Sequence, residues 1–209
     1  MHPGSGETDG ARAARVAAFV LAAGRSTRMG AKNKLLADVG GTPMVRRVVQ
    51  AALASKARPV LAVTGHQAAE VGSALAGLDA ALVANPDYAT GLASSLKAGI
   101  RALPGDCSGV VVLLGDMPGI MPEHLDRLIE TFVAGNGTAI VAPTYGRERG
   151  NPVVWPAAFF PGLMQLEGDA GARRLLVEHA GQVALVDLGT DAVLADIDTP
   201  EQLARTRGA

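Results

Sequence analysis

Cysteine, aromatic residues and long apolar runs are all scarce in this sequence of 209 residues. The single cysteine, Cys107, excludes an intramolecular disulfide framework and a metal site built from several cysteines. Aromatic residues make up 3% of the chain and the formal net charge is −1, so neither a basic stripe nor interleaved aromatics indicate nucleic-acid binding. No apolar run approaches the roughly 20 residues that a membrane-spanning helix needs. We therefore expect a cytoplasmic protein without nucleic-acid or membrane partners.

The composition and the order of the predicted elements favour an α/β fold. Apolar residues make up 48% of the chain, and strand patterns alternate with helix patterns through its first two thirds. This alternation predicts a mostly parallel sheet with helices on both faces. Residues 1–14 are polar and glycine-rich without a hydrophobic signal segment, so we expect a disordered tail followed by one domain over 15–209.

The first apolar run, from Val16, leads into a loop of small and basic residues that extends to Gly30. A run of this kind predicts a buried parallel strand, and the loop after such a strand lies at the usual ligand-binding edge of the sheet. Small residues let backbone amides approach an anion, and Arg25, Arg28 and Lys34 supply positive charge. The loop therefore predicts a phosphate site, although it is neither a Walker loop nor a dinucleotide-binding fingerprint.

Two further loops follow predicted strands at the same edge. Thr64-Gly65-His66 follows the strand 59–63, and His66 could either contact a nucleotide or simply begin a helix. The segment 85–95 opens a helix whose first turn carries Ser94 and Ser95. The free amides of that turn could receive a phosphate or a base carbonyl, or the serines could act only as helix caps.

Asp116 follows the strong apolar strand 109–114, within the string Gly-Asp-Met-Pro. A carboxylate at the tip of a buried strand is costly unless it is paired or bound to metal, and Mg²⁺ commonly takes one or two carboxylates together with phosphate oxygens. We therefore expect Asp116 to bind Mg²⁺ rather than to cap the next helix. Asp196 and Asp198 alternate in an extended segment and share one side, so one of them could supply a second ligand. Thr199 and Gln202 have the spacing of a capping box.

Two other segments allow simple structural interpretations. Thr42 and Pro43 predict the N-cap and first position of a helix, with Arg46 and Arg47 on its solvated face. The stretch 143–150, with Arg147 and Arg149, is predicted to be a loop. It could be a lid, an acceptor-binding element or only an exposed turn.

The string Leu21-Ala-Ala-Gly-Arg-Ser-Thr-Arg-Met-Gly30, with Asn33-Lys34-Leu35-Leu36 and Gly-Asp-Met-Pro, resembles the MobA-like nucleotidyltransferases. Within that superfamily the sequence resembles molybdenum cofactor cytidylyltransferases most, from about Val16 to Leu203. Cytidylyl members show the pair Ala22-Ala23, whereas guanylyl relatives carry glycine at the second position. The resemblance implies a Rossmann-like three-layer sandwich of nucleotide-diphospho-sugar transferase type.

The resemblance also implies transfer of CMP from CTP to Mo-molybdopterin, with Mg²⁺ as cofactor. It implies transient contact with a xanthine-dehydrogenase-type apoenzyme or its chaperone. Arg28, Lys34 and Asp116 would be catalytic, and Asp116 and Asp198 would bind the metal. The implied nucleotide-binding residues are Leu21, Ala22, Ala23, Gly24, Arg25, Ser26, Lys34, Thr64, Gly65, Asn85, Gly91, Ser94 and Ser95. The implied acceptor-binding residues are Gly150, Asn151, Pro152, Asp169 and Arg173, although Asp169 could equally be a helix cap.

Three other functions remain open from the sequence. A guanylyltransferase of the same superfamily would prefer GTP. An oxidoreductase of the nicotine-blue type would need a nicotinamide or flavin site, for which the sequence has no fingerprint. A non-catalytic carrier would bind the molybdenum cofactor without turnover.

Overall fold

A central mixed sheet with helices on both faces forms the body of the protein. The computed structural model describes residues 14–25, 33–169, 172–197 and 202. The proposed capping box at Thr199 and most of the predicted tail therefore lie outside the described residues. Among those that are described, no helix is long and apolar enough to cross a membrane.

The strands are Val16–Ala22 (β1), Asp38–Val39 (β2), Thr42–Pro43 (β3), Val60–Thr64 (β4), Ala81–Ala84 (β5), Gly109–Leu114 (β6), Ile140–Tyr145 (β7), Glu148–Arg149 (β8), Val153–Pro156 (β9) and Val183–Asp187 (β10). The central sheet runs in the order β10-β7-β9-β6-β1-β4-β5, with β8 paired to β7. A separate short hairpin joins β2 and β3.

Strand β1 lies at the centre of the parallel part of the sheet, and all seven of its residues are buried. It pairs in parallel with β4 on one side and β6 on the other. The carboxyl ends of these three strands consequently meet at one edge, as the alternation of elements predicted. Strand β9 runs antiparallel to both β6 and β7, so the sheet is mostly but not entirely parallel.

Helices cover both faces because the side chains of β1 alternate between two apolar cores. The helices are Met44–Ala54 (α1), Ala68–Ala74 (α2), Leu92–Arg101 (α3), Pro122–Ala134 (α4), Phe160–Leu163 (α5) and Arg173–Glu178 (α6). Val16, Ala18 and Val20 belong to the first core, with side chains of α1 and α4. Phe19 and Leu21 belong to the second core, with side chains of α3. The three-layer α/β prediction is confirmed.

The prediction that Thr42 caps α1 is wrong. Thr42 and Pro43 form β3, which pairs with β2, and α1 begins at Met44 with Pro43 in the cap position. Gly40 and Gly41 make the tight turn between these strands with φ angles of 62° and 82°, which suit a two-residue hairpin. Because pairing draws Thr42 into a ladder, its side chain does not cap the helix.

The prediction of a loop from Pro143 to Gly150 is also wrong in part. Strand β7 continues through Tyr145, and a turn at Gly146 returns the chain into β8. This β7–β8 hairpin fixes the backbone on both sides of Arg147, which lies at its exposed tip.

Arg46 and Arg47 lie on the outer face of α1, and both form hydrogen bonds to neighbouring segments. Arg46 donates hydrogen bonds to the carbonyl oxygens of Ala74 and Ala76, at distances of 2.8 and 3.0 Å. Arg47 donates to the carbonyl oxygen of Val39 at 3.0 Å. These guanidinium groups satisfy carbonyls at the end of α2 and in β2, which ties both elements to α1.

We expect Phe132→Ala to lower the free energy of unfolding by roughly 3–5 kcal/mol, because truncating a core aromatic leaves a cavity. Phe132 is 1% exposed and packs in the first core. Val133→Ala is the matched control, because its side chain is 45% exposed in the same helix. Urea denaturation measures both variants, and equal losses would contradict this description of the core.

Candidate functional site

A cavity of about 890 Å³ opens at the carboxyl edge of the parallel strands. Its walls come from the loop after β1, the turn at Lys34, the end of β6, the start of α3 and the segments around Asp169 and Asp196. We call it the first cavity; its lining residues are Leu21, Ala23, Gly24, Arg25, Lys34, Leu35, Tyr88, Ala89, Gly91, Leu92, Ser95, Leu114, Asp116, Asp169, Arg173 and Asp196.

Backbone hydrogen bonds hold the start of the loop after β1 in place. The amide of Gly115 donates to the carbonyl oxygen of Leu21 at 3.0 Å, and the amide of His66 donates to that of Ala23 at 3.2 Å. Gly24 and Arg25 follow and are exposed at the mouth of the cavity. The predicted residues Ser26 and Arg28 lie outside the described residues. This loop therefore leaves the sheet from an anchored point between β4 and β6.

An ion pair in the first cavity joins Lys34 and Asp116. Nζ of Lys34 lies 2.6 Å from Oδ2 of Asp116, and the side chains are only 14% and 17% exposed. Lys34 begins a 3₁₀ turn over 34–36, whose start is capped by the side chain of Asn33. An ion pair this far from water is screened only weakly by solvent and salt.

The other oxygen of Asp116 fits a cation site. Oδ1 is buried, and the described residues give it no hydrogen-bond partner. A buried carboxylate oxygen without a donor costs free energy, so it calls for a partner that the described protein groups do not supply. Carboxylate oxygens are the preferred ligands of hard divalent cations such as Mg²⁺. Asp116 can therefore hold a metal through Oδ1 while Oδ2 faces Lys34.

The C-terminal segment brings a further carboxylate to this cavity. The amide of Ile197 donates to the carbonyl oxygen of Asp116 at 3.0 Å, and Asp196 lines the cavity. Asp198 lies outside the described residues. Asp196 is thus the described carboxylate of the C-terminal segment that lines this cavity, whereas the assignment of Asp198 as metal ligand stays a prediction.

The predicted nucleotide segment at 85–95 is held by a buried hydrogen-bond network. Asn85 donates to the hydroxyl oxygens of Ser94 and Ser95, at 2.8 and 3.0 Å, and accepts from the amide of Asp87 at 3.0 Å. Ser94 in turn donates to the carbonyl oxygen of Gly91 at 2.8 Å. Asn85 therefore organises the loop from within, and Ser95 and Gly91 are the members of this network that line the cavity.

Tyr88 lines the first cavity, although the sequence analysis did not predict it as a site residue. Its ring lies 6.0 Å from that of His66, with an angle of 50° between the planes. A Cβ on Gly65 would meet the Cβ atom of Tyr88 at 2.5 Å and that of Ala23 at 2.8 Å. Because Gly65 has no side chain, Tyr88 can pack beside the end of β1. Gly65 itself is not among the residues that line the cavity.

The N-terminus of α3 is occupied by another segment of the chain. The amide of Ala93 donates to the carbonyl oxygen of Gly168 at 3.1 Å, and the amide of Leu92 donates to Oδ1 of Asp169 at 3.3 Å. Asp169 therefore caps α3, a helix 77 positions earlier in the chain, and not the helix that follows it. The amides of Leu92 and Ala93 are already paired and are not available to a phosphate.

A second cavity, of about 580 Å³, adjoins the first, since both are lined by Leu21, Leu92, Leu114, Asp169 and Arg173. It has apolar side chains from β6, β9, α3 and α6, together with charged and polar residues from the β7–β8 hairpin and after it. The residues that belong only to this second cavity are Leu96, Val112, Glu148, Arg149, Gly150, Asn151, Val153, Trp155, Ala172 and Leu176.

The structure thus assembles most predicted site residues around two joined cavities. Among the predicted residues that the structure describes, those that line neither cavity are Ala22, Thr64, Gly65, Asn85, Ser94 and Pro152. Thr64 is buried, and its hydroxyl group lies toward the carbonyl oxygen of Val83 in the neighbouring strand. The sequence analysis did not predict Tyr88 and Trp155 as lining residues, although aromatic residues are rare in this chain. Tyr88 lies within the polar segment 85–95, and Trp155 lies in β9.

The fold and the paired cavities define an α/β protein with two joined cavities at the carboxyl edge of its sheet. Residues 18–183 match the model of the MobA-like NTP transferase domain. The chain belongs to this family and has a Rossmann-like fold of the nucleotide-diphospho-sugar transferase type. The family resemblance seen in the sequence is confirmed at this level.

The relatives that match this chain carry different names and differ in length. Purine catabolism protein PucB of Bacillus subtilis is 31% identical over 206 residues, covering 90% of this chain and 94% of PucB. Nicotine blue oxidoreductase of Paenarthrobacter nicotinovorans is 31% identical over 197 residues, covering 91% of this chain and 95% of that protein. The bifunctional protein GlmU of Kineococcus radiotolerans is 40% identical over 141 residues, which span 63% of this chain but only 29% of GlmU.

Solved structures place a divalent metal in a related protein. Rv0371c of Mycobacterium tuberculosis superposes with a TM-score of 0.83 at 27% identity, covering 95% of this chain and 100% of that one. A complex of Rv0371c with manganese superposes with a TM-score of 0.75 at 25% identity, covering 93% and 99% of the two chains. This relative therefore binds a divalent metal.

We expect Lys34→Met to lower the free energy of unfolding by roughly 1–3 kcal/mol at neutral pH, because Asp116 loses the partner of a largely buried charge. Lys56→Met is the control, since Lys56 and Glu130 form an ion pair whose side chains are 56% and 57% exposed. An exposed pair contributes little, because water and salt screen its charges. Urea titration compares the two, and a loss at position 34 no larger than the control would contradict the importance of this pair.

Proposed function

We propose that this nucleotidyltransferase transfers CMP from CTP to the terminal phosphate of Mo-molybdopterin. The products would be molybdopterin cytosine dinucleotide and pyrophosphate. The observation that carries the proposal is the Lys34–Asp116 pair, which lies in a cavity that continues into a second cavity lined by Arg149 and Arg173. Two joined compartments suit a reaction in which a triphosphate and a large anionic acceptor must meet.

The nucleotide is proposed to occupy the first cavity. Lys34 offers a positive charge there, and the loop after β1 offers backbone amides near Gly24 and Arg25. By resemblance, Arg28 would share the β- and γ-phosphates with Lys34. The pair Ala22-Ala23 supports cytidylyl rather than guanylyl transfer, because it is the pair that cytidylyl members show.

Asp116 is proposed to hold Mg²⁺, with Asp198 or its described neighbour Asp196 as the second carboxylate. A bound divalent metal would neutralise the charge of the triphosphate and draw electron density from the α-phosphorus. In the free protein Lys34 and Asp116 are counter-charges to each other. When the ligands bind, phosphate oxygens would replace the carboxylate beside Lys34, and a cation would replace the ammonium group beside Asp116. Each charged side chain would thus keep a partner of opposite charge.

The acceptor is proposed to occupy the second cavity. Leu96, Val153 and Trp155 provide an apolar floor suited to a ring system, and Arg149 and Arg173 provide charge for anionic groups. Asn151 adds an amide that can donate and accept hydrogen bonds. A flat, polyanionic heterocycle such as a molybdopterin matches this combination of surfaces.

The proposed chemistry is a direct in-line displacement. An oxygen of the acceptor phosphate forms a bond to the α-phosphorus of CTP, and the bond from that phosphorus to the bridging oxygen of pyrophosphate breaks. The leaving pyrophosphate carries away the electron pair, and Lys34 and Arg28 stabilise its charge. No protein nucleophile is required, because the acceptor phosphate is itself anionic at neutral pH. The chain contributes position and charge.

Pyrophosphate release tests the proposal directly. The protein is incubated with Mg²⁺ and either CTP or GTP, with and without molybdenum-loaded molybdopterin. Release from CTP that requires the pterin supports the cytidylyltransferase, and release from GTP instead would indicate guanylyl transfer. Pterin binding without release from any triphosphate would overturn the transferase and favour a carrier. Oxidation of NADH or NADPH with nicotine blue, without pyrophosphate release, would favour the activity for which the Paenarthrobacter relative is named.

We expect Asp116→Asn to reduce the rate of pyrophosphate release by about 10²–10³, the usual effect of losing one electrostatic contact to the transition state. The amide keeps the shape of the side chain but binds a divalent cation weakly. Asp79→Asn is the matched control, since Asp79 is exposed between α2 and β5, away from both cavities. Steady-state assays at saturating CTP compare the variants, and a loss under about tenfold would argue against a metal at Asp116.

A further inference from the structure

The C-terminal segment that approaches Asp116 is supported from outside the cavity by the chain just after the β7–β8 hairpin. Residues 191–193 form a 3₁₀ turn, which is capped by the side chain of Thr190 accepting from the amide of Ala192 at 3.2 Å. The amide of Asn151 donates to the carbonyl oxygen of Val193 at 2.8 Å. The stretch 150–151 and the turn 191–193 therefore lie directly against each other.

Because glycine has no side chain, Gly150 lies closer to Val193 than any other residue type could. A Cβ at position 150 would lie 2.0 Å from the carbonyl oxygen of Val193, 2.6 Å from its carbonyl carbon and 3.0 Å from its Cβ. Two of the three atoms belong to the backbone, so a side-chain rotation cannot relieve the overlap. Val193 is fully buried, and the amide of Gly150 is fixed by a 3.0 Å hydrogen bond to the carbonyl oxygen of Pro143. Neither side of the contact can move without loss elsewhere.

The same turn also contacts the loop that carries Asp116. A Cβ on Gly119 would lie 3.2 Å from that of Ala192, so this turn and the loop after β6 are in close contact. Beyond the turn, the amide of Ile197 bonds to the carbonyl oxygen of Asp116 at 3.0 Å. The segment from 191 to 197 thus lies between Gly150 and the loop of Asp116, and a displacement at one side is transmitted to the other.

We propose that Gly150 is a positioning residue for the divalent-metal site, through its contact with Val193. Its missing side chain sets how closely the segment 191–197, with Asp196, lies against Asp116. The family resemblance implied that Gly150 contacts the acceptor; this inference gives it a different role. It rests on the metal site of the proposed function, but it requires neither a particular nucleotide nor a particular acceptor.

The test measures binding of Mn²⁺ alone to the protein, by electron paramagnetic resonance of the free ion. We expect Gly150→Ala to weaken Mn²⁺ binding roughly tenfold to a hundredfold, the usual effect of disturbing residues that orient metal ligands. Pyrophosphate release by this variant should recover when Mg²⁺ is raised by the same factor. A role limited to the acceptor would instead raise the KM for the acceptor and leave Mn²⁺ binding unchanged.

Gly181→Ala is the matched glycine control. Gly181 is exposed, and a Cβ there would meet nothing within 4 Å. Its Mn²⁺ affinity should equal that of the wild type. If Gly150→Ala binds Mn²⁺ within twofold of the wild type, the positioning role is overturned while the proposed function stands. If the wild type itself binds no Mn²⁺, the metal site and the positioning role are both overturned.

A second variant keeps the test decisive should Gly150→Ala fail to fold. Thr190→Val preserves the side-chain shape but removes the oxygen that caps the 191–193 turn, so we expect Mn²⁺ binding to weaken several-fold. Thr138→Val is its control, because the hydroxyl of Thr138 donates to the carbonyl oxygen of Gly135 on an exposed turn after α4. Equal Mn²⁺ affinities for the two threonine variants would overturn the proposal.

Discussion

The ion pair between Lys34 and Asp116 is the interaction on which the site depends. Each charge is largely withdrawn from water, so each would be costly without the other. The partners come from elements that only the tertiary structure joins. Lys34 begins a turn after the first loop, and Asp116 follows the end of β6. Because β1 and β6 pair in parallel and in register, their carboxyl ends lie side by side and the pair can form.

The sheet also explains why the site has two compartments. Parallel strands β1, β4 and β6 end together and leave the first cavity above them, whereas β9 runs the opposite way beside β6 and places Val153 and Trp155 in the wall of the second. Arg149, in β8, and Asn151, in the chain that joins β8 to β9, also line the second cavity. The change in strand direction thus separates the first cavity from the second within one continuous sheet.

Contacts distant in sequence hold the two sides together. Gly168 and Asp169 bond to the amides that begin α3, and Asp169 lines both cavities. A helix N-terminus that the sequence offered to a ligand is therefore used by the protein itself. PucB and nicotine blue oxidoreductase are equally similar to this chain although their names differ. Similarity at this level specifies the shared framework but not the reaction or its substrates.

Local sequence determined the elements and the edge at which the site would form. The apolar runs of β1 and β6 have a length and composition that are typical of buried strands. The loops that follow them could be read as phosphate and metal sites without a structure. What the sequence did not determine were contacts between distant segments. Thr42 has the chemistry of a helix cap, but pairing of β2 with β3 overrides that preference. Asp169 resembles a cap for its own helix, yet it caps α3. Gly150 resembles a ligand contact, but its packing against Val193 is visible only in three dimensions. Propensity and spacing report on neighbours along the chain, whereas these outcomes depend on which backbone groups the folded sheet brings within hydrogen-bonding distance.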